Sequence, residues 1–344
     1  MKVAYVERPD GRVRVAEVPE PPLPGPYDCR VQMVYGTVCA GTDTHILHDR
    51  LPWRMDYPLA LGHESVGRVV EVGPKVKNLK VGDLISRVGA SPDPTGAWHL
   101  GWGGFSEWGY ARDWRAMEAD GIDKSEWDAF RIHQVIPDDI PEKAGPLFIT
   151  LRETLSYSNR LGITKGTNLL VIGTGGNALA FVAHARHAGA ASIVVIGSAA
   201  REVVFREAGT TDYYNYKQED LIDALNTAFP DGFDRLIDSV GQAEALDGFM
   251  PLIASGGVIG VYGLDEWDNL TIHPARARGS FTLYNDSYDE PETHDEIVER
   301  LRAGVYKPDW WLGEGCPARP LDEIAEAFDA IARREVIKPL IQLN

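Results

Sequence analysis

NLLVIGTGGNALAFVAHARHAGAASIVVIG (residues 168–197) is the stretch that decides the fold. It opens as an unbroken apolar run, turns on glycines, continues with small apolar residues and closes in a second apolar run. Strands of a parallel sheet are covered on both faces, so they read as continuous apolar runs rather than as an alternation. The pattern predicts strand, helix and parallel strand within about 30 residues, an α/β arrangement with helices on both faces of the sheet. FDRLIDSVG (233–241) and GGVIGVYG (256–263) repeat the strand-then-glycine texture and extend that sheet.

The glycine turn, GTGGNA (173–178), fits the G-x-G-x-x-A pattern of a dinucleotide turn and lies between a strand and a helix. Gly173 permits the tight turn, Gly175 lets backbone approach a pyrophosphate, and Ala178 keeps helix and strand close. Gly176 and Asn177 open the helix, whose first N–H groups face the phosphates. At the end of the second strand, IGSAAR (196–201) carries no carboxylate. An NAD site places a carboxylate there for the ribose hydroxyl, and that group would repel the extra phosphate of NADP. Gly197 in this position, with the Ser198 hydroxyl and the Arg201 guanidinium beyond it, favours NADP over NAD. Ligands gather at the carboxyl ends of the strands. Val240 and Gly241 after one strand, and Tyr262, Gly263 and Leu264 after the next, are therefore expected at the nicotinamide end.

The first 150 residues have a different texture. Pro and Gly cluster in PEPPLPGP (19–26), apolar alternation follows at 30–34, and GHESVGRVVEVGPKVKNLKVGDLI (62–85) has valines near period two. These read as twisted strands of a β-rich domain. The tail, LDEIAEAFDAIARREVIKPLIQLN (321–344), reads as an amphipathic helix ending near Arg334 and a closing strand. A chain of 344 residues is too long for one ordinary core, which fits two domains. Hydrophobic content of 44% and charged content of 25% are those of a soluble globular protein. No run of 18 apolar residues offers a membrane span. MKVAYVERPDG (1–11) lacks the basic head and apolar run of a secretory signal. A net charge of -17 repels phosphates and disfavours nucleic acid as a partner. The three cysteines, Cys29, Cys39 and Cys316, make no disulfide framework and point to a reducing, cytoplasmic setting.

VCAGTDTHI (38–46) brings Cys39, Thr42, Asp43 and His45 close together. Its surroundings carry a resemblance. GHESVGRVVEVGPKV (62–76), GGFSEW (103–108), KGTNLLVIGTGGNA (165–178) and FDRLIDSVG resemble, in order and spacing, the zinc-containing medium-chain alcohol dehydrogenases and their polyol and sugar dehydrogenase relatives. The resemblance implies a GroES-like, β-rich catalytic domain at residues 1–152, completed by 287–344, and a Rossmann domain, a doubly wound parallel sheet, at 153–286. It implies hydride transfer between nicotinamide and an alcohol carbon in the cleft between the domains, and a homodimer or homotetramer. It also implies a catalytic zinc on Cys39, His63 and Glu64 with one open place for substrate, and Thr42 and His45 as the path of the alcohol proton to solvent. The family's structural zinc takes four cysteines near residues 89–104, where this chain has none, so no structural zinc is expected.

Two departures stand out. The cysteine stretch is one residue longer than the family's, so an ungapped alignment puts Ala40 in the ligand position with Cys39 beside it. The family's third ligand falls on Ile149, with Glu153 one turn later. The expected function is an NADP-preferring, zinc-dependent dehydrogenase of a small alcohol, polyol or sugar-like substrate. Trp53, Trp98 and Trp102 are expected as loop packing, as aromatic faces toward the substrate or as a subunit contact. Two other readings stay open: a zinc-free reductase of quinones or activated double bonds, which the departures favour, and a non-catalytic NADP-binding sensor.

Overall fold

The computed structural model describes residues 1–344 apart from Pro21, Pro52, residues 92–95, Trp267 and Asp268, so part of the 89–104 loop lies outside the described residues. The chain divides into two compact units, residues 153–289 and a discontinuous unit of residues 1–152 and 290–344. Among the described residues no helix is long and apolar enough to cross a membrane.

In the unit of residues 153–289 the opening stretch folds as β1 (Asn168–Ile172), α1 (Gly176–Ala188) and β2 (Ser192–Gly197). Then come β3 (Asp212–Asn215), β4 (Phe233–Asp238), β5 (Ile253–Val261) and β6 (Phe281–Tyr284). All neighbours are parallel, in the order β3-β2-β1-β4-β5-β6. Leu170, Val194, Leu236 and Ile259 are fully buried, as both-face burial requires. Along α1, Ala178, Ala180, Ala183 and Ala185 are buried, and methyl-sized side chains let the helix lie close to the sheet. It stops at Gly189, whose left-handed φ of 80° closes the last turn onto the Ala185 and Arg186 carbonyls. The strand order reverses between β1 and β4, which leaves a crevice beyond their carboxyl ends.

The discontinuous unit is built on a seven-stranded sheet. Its strand Asp28–Thr37 is flanked antiparallel by Ser65–Val72 and by Leu340–Gln342, near the end of the chain. Val31, Met33, Val69, Ile85, Phe105 and Ile341 fill the core, each 1% exposed or less. The register sets Ser65 opposite Gly36 and Leu340 opposite Thr37. Antiparallel neighbours begin where the middle strand ends. Residues just before Ser65 and just before Leu340 are thereby brought to the residues just after Thr37.

Candidate metal centre and dinucleotide turn

Cys39, His63, Glu64 and Lys338 meet at that end of the sheet. A sulfur of Cys39, a ring nitrogen of His63 and a carboxylate oxygen of Glu64 lie within 4.8 Å of one another, all buried. The extra residue in the cysteine stretch does not displace the thiol. The Asp43 amide donates to the Cys39 carbonyl (3.2 Å) and the Cys39 amide donates to Asp43 Oδ2 (2.9 Å), while Ala40 is exposed. Cys39, not Ala40, is the residue whose side chain stands beside His63 and Glu64. Ile149 is fully buried and offers no ligand atom.

Asp43 anchors this turn and also faces the histidine. Its Oδ1 lies 3.3 Å from His63 Nδ1, long for a hydrogen bond, and neither atom has a hydrogen-bond partner among the described residues. Burial alone would lower the pKa of His63, but Asp43 and Cys39 outweigh it and lift it well above the usual imidazole range. Glu64 is held on every side. Lys338 Nζ donates to Oε1 (2.6 Å) and Oε2 (2.5 Å), Thr150 donates to Oε1 (2.9 Å) and Thr37 to Oε2 (2.7 Å). Two donors on each oxygen fill the lone-pair sites of a carboxylate. Burial pushes Glu64 up, yet Lys338 and His63 hold it below the usual carboxylate range. For Lys338 burial works downward, and Glu64 and Cys39 overcome it and raise the pKa.

Thr42 and His45 lie on the helix Thr42–Leu47. Thr42 is half-buried and His45 is buried, whereas His48 is exposed. His45 Nδ1 is 2.7 Å from the Gly41 carbonyl, which makes Nδ1 the protonated nitrogen. Trp102 packs its ring 5.2 Å from that of His63 while 38% exposed, on a backbone with φ of 69°, a conformation that bulky residues rarely adopt.

In the other unit, Gly173 has φ of 115°, and a Cβ there would meet Ser239 Oγ at 2.4 Å. Gly175 is extended and precedes the first turn of α1, formed by Gly176, Asn177 and the fully buried Ala178. A Cβ on Gly175 would meet nothing within 4 Å, so its missing side chain opens onto free space. Gly197 is glycine for a steric reason: a Cβ would lie 2.0 Å from Thr174 Cγ2 and 2.8 Å from Tyr213 Oη. An acidic side chain there would have to push Thr174 and Tyr213 aside. Ser198 leads into the turn Ala199–Arg201, and its carbonyl accepts from Tyr213 Oη (2.5 Å). Tyr216 joins this end, since its amide donates to the Gly197 carbonyl (3.1 Å), and Lys217 Nζ lies 5.7 Å from its ring. Val240 and Gly241 follow β4, and Tyr262, Gly263 and Leu264 follow β5, at the same carboxyl end of the sheet.

The profile of the alcohol dehydrogenase GroES-like domain matches residues 25–120, and that of the zinc-binding dehydrogenases matches residues 176–298. An NADP-dependent isopropanol dehydrogenase of Entamoeba histolytica is 30% identical over 268 residues, covering 72% of this chain and 69% of that one. The chain belongs to the zinc-type medium-chain alcohol dehydrogenase family. As a member of this family it is an NAD(P)-dependent oxidoreductase acting on alcohols. The L-threonine 3-dehydrogenase of Deinococcus deserti is 26% identical over 272 residues, covering 72% of this chain and 73% of that one. Among solved structures, the alcohol dehydrogenase TADH from Thermus sp. ATN1 is similar with a TM-score of 0.81 at 20% identity over 100% of both chains. A Sinorhizobium meliloti structure bound to NADP is similar with a TM-score of 0.80 at 23% identity over 99% of this chain and 98% of that one. These likenesses support the dehydrogenase fold, a GroES-like β-rich part and a Rossmann sheet.

Several residues of this dehydrogenase's candidate site carry no local signal. Lys338 stands 274 positions from Glu64, and only the pairing of Leu340–Gln342 with Asp28–Thr37 brings it in. Thr37 and Thr150 read as an ordinary strand end and an ordinary helix start. Tyr216 and Lys217 could have been found by counting one strand further along the sheet from Gly197.

Proposed function

We propose that this dehydrogenase holds a catalytic zinc on Cys39, His63 and Glu64 and uses NADP to oxidise a small alcohol, polyol or sugar-like substrate. The observation that carries this reading is the convergence of thiol, imidazole and carboxylate within 4.8 Å in a buried spot. A soft thiolate beside an imidazole suits zinc, and three protein donors leave the open place that a catalytic ion needs. The charge balance agrees. With His63 neutral as a ligand, a Cys39 thiolate, Asp43 and Glu64 set three negative charges against the ammonium of Lys338, and one divalent cation cancels the remainder. Such an ion supplies Lewis acidity, which makes a bound alcohol easier to deprotonate.

The chain's own residues supply the rest. Asp43, whose Oδ1 stands 3.3 Å from His63 Nδ1, is placed to orient the ring once the ion is bound. Lys338, Thr37 and Thr150 fix Glu64, whose carboxylate gives up one of these four bonds to reach the ion. Thr42 takes the alcohol proton on its hydroxyl, and His45, one helical turn further on the same face, passes it outward. Purified protein is expected to contain about one zinc per chain by elemental analysis, with Cys39→Ser and His63→Ala losing metal and turnover together while remaining folded. Full turnover after chelation would hand the function to a zinc-free reductase of quinones or activated double bonds.

The preference for NADP rests on the lack of a carboxylate at the crowded Gly197, and on Ser198, Arg201, Tyr216 and Lys217 around the same strand end. The NADP dependence named for the isopropanol dehydrogenase relatives fits it. The ratio of kcat/KM is expected to favour NADP over NAD by at least about tenfold, the size of one charge-assisted hydrogen bond, and Arg201→Ala should erase most of it. Equal rates with both cofactors would remove the preference. The relatives named for isopropanol and L-threonine keep the substrate class at small alcohols. Steady-state rates with propan-2-ol, butane-2,3-diol and D-glucose would sort alcohol from polyol and sugar. A homodimer or homotetramer is supported by β6, an edge strand on which Leu283 is 36% exposed and which suits pairing with a second copy. Light scattering gives the mass, and a monomer would dismiss it. The three free cysteines suit a cytoplasmic setting.

A further inference from the structure

At the carboxyl end of β4 one residue gathers four backbone donors. The Asp238 carbonyl accepts from the amides of Tyr262 and Gly263, both at 2.9 Å. Its side-chain Oδ1 accepts from the amides of Val240 (2.9 Å) and Gly241 (3.0 Å). Asp238 is 1% exposed, and its other oxygen, Oδ2, is buried with no donor among the described residues. A buried acceptor without a partner is a cost that a fold rarely carries without a reason.

The two turns that Asp238 holds lie back to back. A Cβ on Gly241 would come within 2.4 Å of the Gly263 carbonyl carbon, and one on Gly263 within 2.1 Å of that of Val240. Two further bonds close them: the Asp265 amide donates to the Val240 carbonyl (3.2 Å) and the Glu266 amide to the Gly241 carbonyl (2.7 Å). The pair also abuts the dinucleotide turn, because the Ser239 amide (3.0 Å) and hydroxyl (2.6 Å) both donate to the Ile172 carbonyl, just before Gly173. This is the crevice side of the sheet, where β1 and β4 part company and where the distal half of a dinucleotide must run.

The geometry points to Asp238 as a positioning residue that holds the Val240–Gly241 and Tyr262–Gly263 turns as one surface for the nicotinamide half of the cofactor. The inference rests on the dinucleotide reading of the preceding section. It concerns backbone rather than side-chain contact, since nicotinamide recognition by main-chain groups depends on turns that do not shift. A carboxylate suits the task because one oxygen accepts two N–H groups at once.

The test separates the two halves of the cofactor. Dissociation constants for NADPH and for 2′,5′-ADP, which lacks the nicotinamide half, are measured by calorimetry on wild type, Asp238→Ala and Asp238→Asn. Where NADH proves the better ligand, NADH and 5′-AMP take their places. Asp238→Ala is expected to weaken the dinucleotide by at least about tenfold and leave the half-ligand within about twofold of wild type. Asp238→Asn, which keeps an acceptor at Oδ1, should restore most of the affinity. Asp238→Ser carries the same comparison if the alanine variant does not fold. Equal weakening of both ligands would overturn the inference, since Asp238 would then support the unit as a whole. Unchanged dinucleotide binding would overturn it too. A wild-type chain that binds neither dinucleotide would remove the cofactor reading itself, and the inference with it.

Discussion

Glu64 is the residue on which most of the site's electrostatics turn. Its carboxylate is buried against the ammonium of Lys338, at 2.5 and 2.6 Å, with Thr37 and Thr150 completing its shell. An intact buried ion pair contributes little net stability, because desolvation offsets attraction. Removing one partner is another matter, since the remaining charge then stays buried without the group that pairs with it. Lys338→Met should lower the unfolding free energy by about 3–5 kcal/mol, read from the urea midpoint, and Glu64→Gln by a similar amount. The double variant should lose clearly less than the two single losses added together, because no charge is left alone. Strict additivity would mean that the pair is not coupled. The sequence pointed at Glu64 through its Gly-His-Glu segment, yet nothing in VIKPLIQ marks Lys338, because its role is created by strand pairing. Cys39 teaches the converse. Counting residues put Ala40 at the ligand position, but a loop absorbs an extra residue by turning it outward, so position along the chain did not equal position in space.

Among elements, the strand-turn-helix around Gly173 was the most legible, because a parallel strand must be apolar on both faces and its turn must be glycine. Short strands such as Leu59–Ala60, His99–Leu100 and Arg319–Pro320 were not legible, since two residues cannot display a period. Within the turn, two glycines of the same motif do separate jobs, and substitution should tell them apart. Gly173 has φ of 115° and the Ser239 hydroxyl against it, so it serves the fold. Gly173→Ala should destabilise the protein by about 1–3 kcal/mol in thermal or urea unfolding. Gly175 has an ordinary φ of -79° and open space where a side chain would go, so it serves the ligand. Gly175→Val should leave stability within about 1 kcal/mol of wild type while NADPH affinity drops at least about tenfold. A Gly175→Val protein that binds NADPH normally would show that the pyrophosphate does not rest on this turn.

Taken as a whole molecule, the chain leaves its first unit at residue 152 and returns to it at 290, and the return is fastened by groups that must stay neutral or paired. The expectation of such a return came from family resemblance alone; no periodicity announces it. Arg152, fully buried, pairs with Glu290, which Arg87 also meets. His294 sits beside them, its Nε2 donating to the Val135 carbonyl (2.9 Å), and His133 Nδ1 accepts from the Arg112 amide (2.8 Å). Burial, and then the arginines Arg112 and Arg152 for His133 and Arg152 for His294, push both imidazoles down to about 3. The sign follows from linkage. Above the ordinary histidine value of 6.5 both folded and unfolded chains hold these rings neutral, and the full stability is present. As the pH falls below it, the unfolded chain takes up two protons that the folded one refuses. Stability should therefore fall by up to about 4 kcal/mol between about pH 7.5 and about pH 5, measured by urea unfolding at each pH. The net charge of -17 works in the opposite direction, because protonation elsewhere relieves self-repulsion. A variant isolates the histidines from that background. His133→Asn places an acceptor where Nδ1 stood, and His294→Gln a donor where Nε2 stood, and neither amide titrates. The double variant should be flatter with pH than wild type across this window. Equal pH slopes in the two proteins would mean that the buried imidazoles are not what makes the return segment sensitive to acid.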